Sequence, residues 1–572
     1  MSNEKRALIA TFLSIAFLLA WQHWFAPRPV PPAAAGGTET APVAGSAGAG
    51  PAAAGVAEAG PKPAAVEEER LTAGIPPAVS GGPGKILLLE SRTARIKVTS
   101  SGARVLSWRL LQYFDDEGHP LELVPDHSTG PESLPLEMVV PGDPARTRRL
   151  NEASYDCSGP RRTSGGQEIA CRWSDGRGEA VEKVLTVPDD GYLVTLRVRV
   201  VSKGSAPLVA WAPGLIRDEG PARYGAPARS VHLVLGNGGK LERVTAQKAG
   251  DWKVLDAPRA WAGVEGQYFA TAFAPEKQPA RFALFGRERS EERPEEVGVA
   301  WAPGGDGTAR LFVGPKSYDL LRGIDSELRL GLRRLVDFGF FEFIAVPLFL
   351  SLKWLSRHLR SFGLAIIVLT VAIKVAFYPI TQGAMIKMRR LQKQMKRLQP
   401  KIQHLKEQYA RKTKSIDNRQ KMNQEMMELY RREGVNPMAG MGGCLPLLLQ
   451  IPILWALYSL LSAAIELRRA PFLYLEDLSA RDPYFITPII MGATMWIQQR
   501  MSGTAVPDAA QRMVLNLMPL FMTWVFKDFP SGLVLYWLVN NLLGIGQQYL
   551  INRQADAVEV PAAGERGGGR RG

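Results

Sequence analysis

Residues 365–381 read AIIVLTVAIKVAFYPIT, an apolar run of membrane-helix character interrupted by one charge, Lys374. A lysine near the middle of a spanning helix costs roughly 2.5–3.5 kcal/mol on insertion scales, so it normally faces protein, trapped water or a headgroup layer. Lys374 stands five residues before Pro379, about 7 Å along a helix, within reach of the headgroups for an extended lysine stem. The same position suits a wet cavity open on that side. Position along one helix leaves both readings open.

The remaining apolar content falls into blocks. With 362–380, the candidate spans are 7–25, 446–465, 484–497, 514–526 and 533–550, six in all. The first follows Lys5 and Arg6 and has no small-x-small cleavage pattern after it, so residues 1–26 are expected to be an uncleaved anchor with a cytoplasmic amino end. The blocks at 484–497 and 514–526 are short of the ~20 residues that an upright helix needs to cross hydrocarbon about 30 Å thick. They are read either as buried core helices or as spans beside a thinned bilayer.

Charge orients these blocks. Residues 382–440 hold fifteen Lys or Arg against five Asp or Glu, a large share of the chain's net +15. The positive-inside rule puts that loop in the cytoplasm, and the connection at 466–483, with three basic and four acidic residues, on the other side. Alternation then places everything between the anchor and 362 outside the cytoplasm, and the basic tail at 554–572 inside.

Residues 27–84 are rich in Pro, Ala and Gly and read as a flexible tether. From 85 to 330 the texture becomes short alternating strands such as YLVTLRVRVVS, expected to form an extracytoplasmic β-sandwich. It contains Cys157 and Cys171, fourteen apart, which in an oxidising compartment either pair or stay as two buried thiols. Residues 331–361 have the length and mixed polarity of an amphipathic interfacial helix. The loop at 382–440 has two helical repeats, with Met385, Met388, Leu391, Met395, Leu398, Ile402 and Leu405 before a polar break and Met422, Met426 and Leu429 after it. That predicts a cytoplasmic helical hairpin, either a solvated structural element or a contact surface.

Signals for covalent chemistry are missing from the sequence. None of the six histidines has metal-ligand spacing to Cys, Asp or Glu, and LGNGGKL at 235–241 lacks the first Gly and the Ser or Thr of a phosphate loop, reading instead as a hairpin turn. No catalytic residue, metal, cofactor or enzymatic activity is expected, nor specific nucleic-acid recognition. The apolar blocks instead share polar residues. Thr370, Lys374, Tyr378 and Thr381 fall on one helical face; Gln450 and Tyr458, Thr494 and Gln498, Asn516 and Thr523, and Tyr536, Asn540, Asn541, Gln547 and Gln548 occupy the later blocks. Each alone reads as helix–helix glue. Together with a lysine they read as a wet cavity within a bundle.

Four segments add a resemblance: QEMMELYRREGVNP (424–437), GGCLPLLLQIPILWALYSLL (442–461), ELRRAPFLYLEDLSARDPYFITPIIMG (466–492) and FPSGLVLYWLVNNLLGIGQQYLI (529–551). In content and order they resemble the YidC family of membrane protein insertases, over about 338–553. The tether and β domain resemble the Gram-negative type of that family by position and texture. The resemblance implies a bacterial inner-membrane protein with a five-helix insertase core (362–553) inside a six-span bundle. It implies a hydrophilic groove open to cytoplasm and lipid, with Lys374 where most members have arginine, Thr370 at a substrate-facing position, and Tyr536 and Trp537 in a substrate-contacting stretch. Tyr378, Gln450, Tyr458, Asn516 and Asn540 complete the expected groove. Partners implied are nascent membrane proteins, ribosome–nascent chain complexes, the Sec translocon and membrane lipids, with a folding-chaperone role. Two other classes compete: a secondary transporter or channel, against which stand the absence of a visible inverted repeat and the large hairpin, and a passive assembly scaffold with an incidental cavity.

Overall fold

The computed structural model describes residues 77–557, apart from 83, 116, 125–132, 213–230, 238, 245–250, 288–295, 411–415, 436–444 and 503–508. The expected anchor, the tether up to residue 76 and the tail from 558 lie outside the described residues. The chain divides into two compact units. The smaller includes 392–437 and 505–517; the larger includes 77–391, 438–504 and 518–557.

The larger unit begins with three antiparallel sheets. Four strands, Ile86–Glu90, Ala94–Thr99, Arg104–Phe114 and Pro120–Glu122, pair in chain order. A five-stranded sheet runs Lys253–Val254, Phe282–Arg287, Glu296–Trp301, Leu208–Trp211, Glu137–Val139. The nine-stranded sheet runs Lys240–Val244, His232–Asn237, Trp261–Glu265, Phe269–Pro275, Asp306–Pro315, Leu193–Val201, Ala180–Val187, Gly166–Ser174, Asp156–Thr163. Alternation marks strands with one solvent-facing side: in Leu193–Val201, Val194, Leu196, Val198 and Val200 point inward while Arg197 and Arg199 face solvent. Phe269–Pro275 is buried along its whole length, because the sheet is covered there on both faces. The strands flanking the glycines of LGNGGKL pair antiparallel, with Asn237 opposite Lys240, as the hairpin reading expects. Cys157 and Cys171 are cross-strand partners and form a disulfide, with Cα atoms 4.1 Å apart.

Nine helices are described. α1 (Pro144–Glu152) starts with proline in its first turn and the Asp143 carboxylate accepting from Arg146 N–H. α2 (Tyr318–Leu328) closes the β domain, and α3 (Glu342–Leu359) falls within the expected interfacial segment. α3 buries Ala345, Phe349 and Leu352 while Phe343, Leu350 and Trp354 are exposed.

α4 (Phe362–Ala410) is one continuous helix of 49 residues, roughly 74 Å long at 1.5 Å per residue. The expected span at 362–380 and the residues of the first hairpin arm therefore share one run of helical bonding, unbroken at Pro379 and Pro400. Around Pro400 the strong helix formers Arg397, Leu398, Gln399 and Lys401 outweigh one lost backbone bond, whereas Pro379 stands among Phe377, Tyr378, Ile380 and Thr381, where the apolar surroundings of the span hold the helix together instead. α5 (Ile416–Arg432) is the second arm; within the smaller unit Leu398, Ile402 and Val435 are buried, and Lys401 pairs with Glu433.

The remaining helices are α6 (Leu445–Ala463), α7 (Ile486–Ser502), α8 (Ala509–Phe526) and α9 (Ser531–Ala557). α7 and α8, of 17 and 18 residues, outrun the apolar blocks read from sequence, because helical bonding continues into their polar ends. At about 25–27 Å they remain shorter than a 30 Å hydrocarbon layer. Among the described residues, α4 alone is long and apolar enough to cross a membrane by length and composition; 450–463 and 513–526 are shorter apolar helices.

Candidate functional site

The expected groove residues separate into distinct environments. On α4, Thr370 is 1% exposed and its hydroxyl donates to Ile366 O at 2.6 Å, so it is turned into the packing. One turn later Lys374 is half-buried and, among the described residues, makes no hydrogen bond or ion pair. Tyr378 is exposed, and the Thr381 hydroxyl bonds back to Phe377 O at 3.0 Å. Polarity thus opens outward along the face from Thr370 to Tyr378.

Across from α4, Tyr536 on α9 is buried and hydrogen-bonds the side chain of Gln450 on α6. Gln547 on α9 donates to Thr381 Oγ1 at 3.3 Å, tying α9 to α4. Asn540 is half-buried. Asn516 is exposed on α8 and belongs to the smaller unit.

Trp537 and Tyr458 share an aromatic cluster. Trp537 lies 4.9 Å from Phe526 between ring centroids, Phe526 stacks on Phe529 at 5.0 Å, and Tyr458 meets Phe529 at 5.5 Å. The cluster joins α6, the end of α8 and the start of α9. Other polar residues of the blocks are glue: Asn541 Nδ2 lies 3.4 Å from both Met491 O and Thr494 Oγ1, and Asn552 donates to Met501 O, so α7 and α9 are zipped together. Close approach needs small residues. A Cβ on Gly544 would fall 2.5 Å from Gln498 Nε2, and one on Gly492 would fall 1.9 Å from Thr523 Oγ1.

The connection between α6 and α7 covers the start of α9. Ser531 N–H donates to Ala480 O at 2.6 Å, Gly532 N–H to Leu478 O at 2.9 Å, and the Ser531 hydroxyl to Asp477 O at 3.0 Å. Asp482, 1% exposed, accepts from the Tyr474 hydroxyl at 2.6 Å and from Thr487 N–H and Oγ1 at 2.6 and 2.7 Å. Burial opposes ionisation of Asp482, yet these bonds hold its carboxyl below the usual range. Burial, then the bond to Asp482, pushes the Tyr474 phenol up to about 12.

The β domain docks on this connection through contacts that local sequence does not announce. Gln267 Nε2 donates to Ser462 O at 3.0 Å, Ser317 Oγ lies 3.2 Å from Glu466, and the Arg468 guanidinium donates to Phe114 O at 3.0 Å while lying over the Phe269 ring. Lys353 of α3 bridges Asp319 of α2 and Glu466. Among the described residues no group of His, Cys, Asp and Glu could hold a metal ion.

The described residues thus combine a set of apolar helices, one carrying Lys374 with no partner among the described residues, and a β domain docked on the α6–α7 connection. Residues 354–558 match the family described as 60Kd inner membrane protein, and residues 88–351 match the YidC periplasmic domain. The chain is 31% identical to the membrane protein insertase YidC of Syntrophus aciditrophicus over 96% of its own length and all of the relative. It is 37% identical to that of Geobacter sulfurreducens over 69% of this chain and 72% of the relative. A crystal structure described as an active YidC insertase with its first transmembrane domain resolved is 19% identical, covers 85% of this chain and 97% of its own, and has a TM-score of 0.34. The chain belongs to the YidC family of membrane protein insertases, proteins of the inner membrane with a periplasmic domain.

Proposed function

We propose that this insertase receives nascent hydrophobic segments in a hydrophilic intramembrane groove on the Lys374 face of α4 and releases them laterally into the bilayer, alone or with the Sec translocon, assisting their folding. The observation that carries this reading is the unpaired, half-buried ammonium of Lys374, flanked by exposed Tyr378. A lysine serving only structure would be expected to find a carboxylate or carbonyl partner.

A client segment must take its polar outer tail through hydrocarbon. A wet half-channel carrying a positive charge lowers that barrier and holds an acidic tail transiently. The aromatic cluster of Phe526, Phe529, Trp537 and Tyr458, with the α6–α7 connection over α9, supports closure of the groove on the periplasmic side. Helices α7 and α8, shorter than the hydrocarbon layer, favour local thinning of the bilayer and shorten the remaining path. Apolar burial of the client then completes insertion without nucleotide.

In this reading the chain has six spans with both ends cytoplasmic. Gln450, Tyr536 and Asn540 line the groove with Lys374 and Tyr378, while Thr370 sets the helix face from within the packing. The hairpin of 382–440 receives ribosome–nascent chain complexes. A photo-crosslinker at Tyr378 tests the assignment: ribosome-bound clients with a spanning segment should crosslink there, and the same clients without that segment should not. Equal crosslinking of both, or none to either, would contradict the groove.

A further inference from the structure

The connection between α6 and α7 turns back on itself at Phe472 and Leu475, whose N–H and C=O groups bond reciprocally at 2.8 and 3.0 Å. The two residues inside the turn are Leu473 and Tyr474. Leu473 has φ of 55°, at the position of a two-residue turn where glycine is the ordinary choice.

Everything around this leucine is fixed. The Phe472 ring occupies the space that a Cβ on Gly363 would need, 2.1 Å away, at the start of α4. The Tyr474 hydroxyl is held by Asp482 at 2.6 Å, and Asp482 also binds Thr487 at the start of α7. Leu475 and Leu478 are buried behind the turn. Yet Leu473 itself is 85% exposed, more than any other large hydrophobic side chain among the described residues. The first turns of the two helices continue the apolar surface, with Leu364, Tyr484 and Ile486 all exposed and the Tyr484 ring 6.3 Å from that of Tyr474.

We propose that this turn is a membrane-inserting tip, in which Leu473 enters the outer leaflet of the bilayer with Tyr484 beside it at headgroup level. The inference rests on the reading that α4 and α7 cross the membrane with their first turns at the periplasmic face. Lipid is the fitting occupant because the tip is continuous with the apolar flanks of those helices and pairs an aliphatic point with an amphipathic ring, as interfacial anchors do. One protruding side chain is too small to build the ~800 Å² per partner of a stable protein interface. The clamps at Gly363 and Asp482 transmit the depth of the tip to both helices, so it sets where their outer ends sit in the bilayer.

The test uses the full chain in liposomes, with Cys444→Ser and the Cys157–Cys171 disulfide retained. A nitroxide is attached through Leu473→Cys, and its collision rates with oxygen and with an aqueous nickel chelate are compared with those at Ile489→Cys and Arg162→Cys. Leu473→Cys should give an oxygen-to-nickel ratio several-fold above that at Arg162→Cys and approaching that at Ile489→Cys. A nickel-accessible label at 473 beside a lipid-exposed label at 489 would overturn the tip and leave the spans standing. A label at 473 shielded from both reagents would mean a protein occupant and would overturn it as well. A nickel-accessible label at 489 would remove the span reading on which the proposal rests.

Discussion

Lys353 on α3 forms an ion pair with Asp319 on α2, and the same ammonium lies 3.6 Å from Glu466 on the α6–α7 connection. One cation therefore joins the last helix of the β domain, α3 and the connection between α6 and α7.

The three positions should not be equivalent. Asp319 is 46% exposed and Glu466 only 16%, so loss of the lysine leaves the half-buried Glu466 carboxylate with the Ser317 hydroxyl but without its nearest cation. Lys353→Met should destabilise the protein by about 1–2 kcal/mol, whereas Asp319→Asn should cost about 0.5 kcal/mol or less, as exposed pairs do. Thermal unfolding in nanodiscs separates them. Equal effects of the two substitutions would mean that the bridge to Glu466 contributes nothing.

The contact between α7 and α8 depends on Gly492, whose added Cβ would meet Thr523 Oγ1 at 1.9 Å. Gly492→Ala should cost about 1–3 kcal/mol through overpacking. Thr523→Ala removes the clashing oxygen and should restore most of that loss in the double variant. Additive losses would show that the two helices are not in contact there.

In the β domain Glu137 is 5% exposed. Burial pushes its carboxyl up from 4.5 to about 7, against the bond from Ser133 and the charges of Arg104 and Lys183, which pull it down. The folded chain then keeps a proton that the unfolded chain has released between about pH 4.5 and 7, so stability falls as pH rises through that window. Burial lowers the Lys183 ammonium to about 7, which gives the opposite slope above neutrality, so the two effects meet in a minimum near pH 7. Glu137→Gln keeps an acceptor for Ser133 and should match the parent near pH 4.5, its advantage growing to on the order of 3 kcal/mol by pH 7.5. Parallel melting profiles across that range would contradict the burial argument.

The Cys157–Cys171 disulfide closes a loop of fourteen residues. Replacing both with Ser should lower stability by about 3 kcal/mol in the chain-entropy treatment, and mass spectrometry of unreduced digests should find the linked peptide. Recovery of free thiols at both positions from unreduced periplasm-exposed protein would contradict the pairing.

What was legible in the sequence follows its range. Strand alternation in Leu193–Val201 and the apolar face of α4 are local periodicities, and both were readable. So was the hairpin turn at Asn237. The unbroken helical bonding from span into hairpin arm was not, because Pro379 among Phe377, Tyr378, Ile380 and Thr381 signals a boundary. The docking contacts were invisible for another reason: Gln267 and Ser462 are 195 residues apart, and neither has a composition that marks it. Thr370 shows the limit within the site itself. Helical spacing put it on the face of Lys374, but its hydroxyl satisfies Ile366 O and turns inward. The disulfide needed the strand register, which spacing alone left undecided between a bond and two thiols.

The central claim is that the charge of Lys374 serves a client's acidic outer tail. If the side chain only reaches toward the headgroups, Lys374→Leu removes an insertion penalty and leaves function intact. If it holds the tail, Lys374→Arg should retain activity, although a guanidinium is not equivalent to an ammonium, and Lys374→Glu should fail worst through like-charge repulsion. The direct measurement is protease protection of two clients, identical except for a neutral or an acidic outer tail, in membranes containing the parent protein or Lys374→Leu. The account predicts that Lys374→Leu inserts the neutral-tailed client normally and loses most insertion of the acidic-tailed one. Equal insertion of both clients by the two proteins would contradict it.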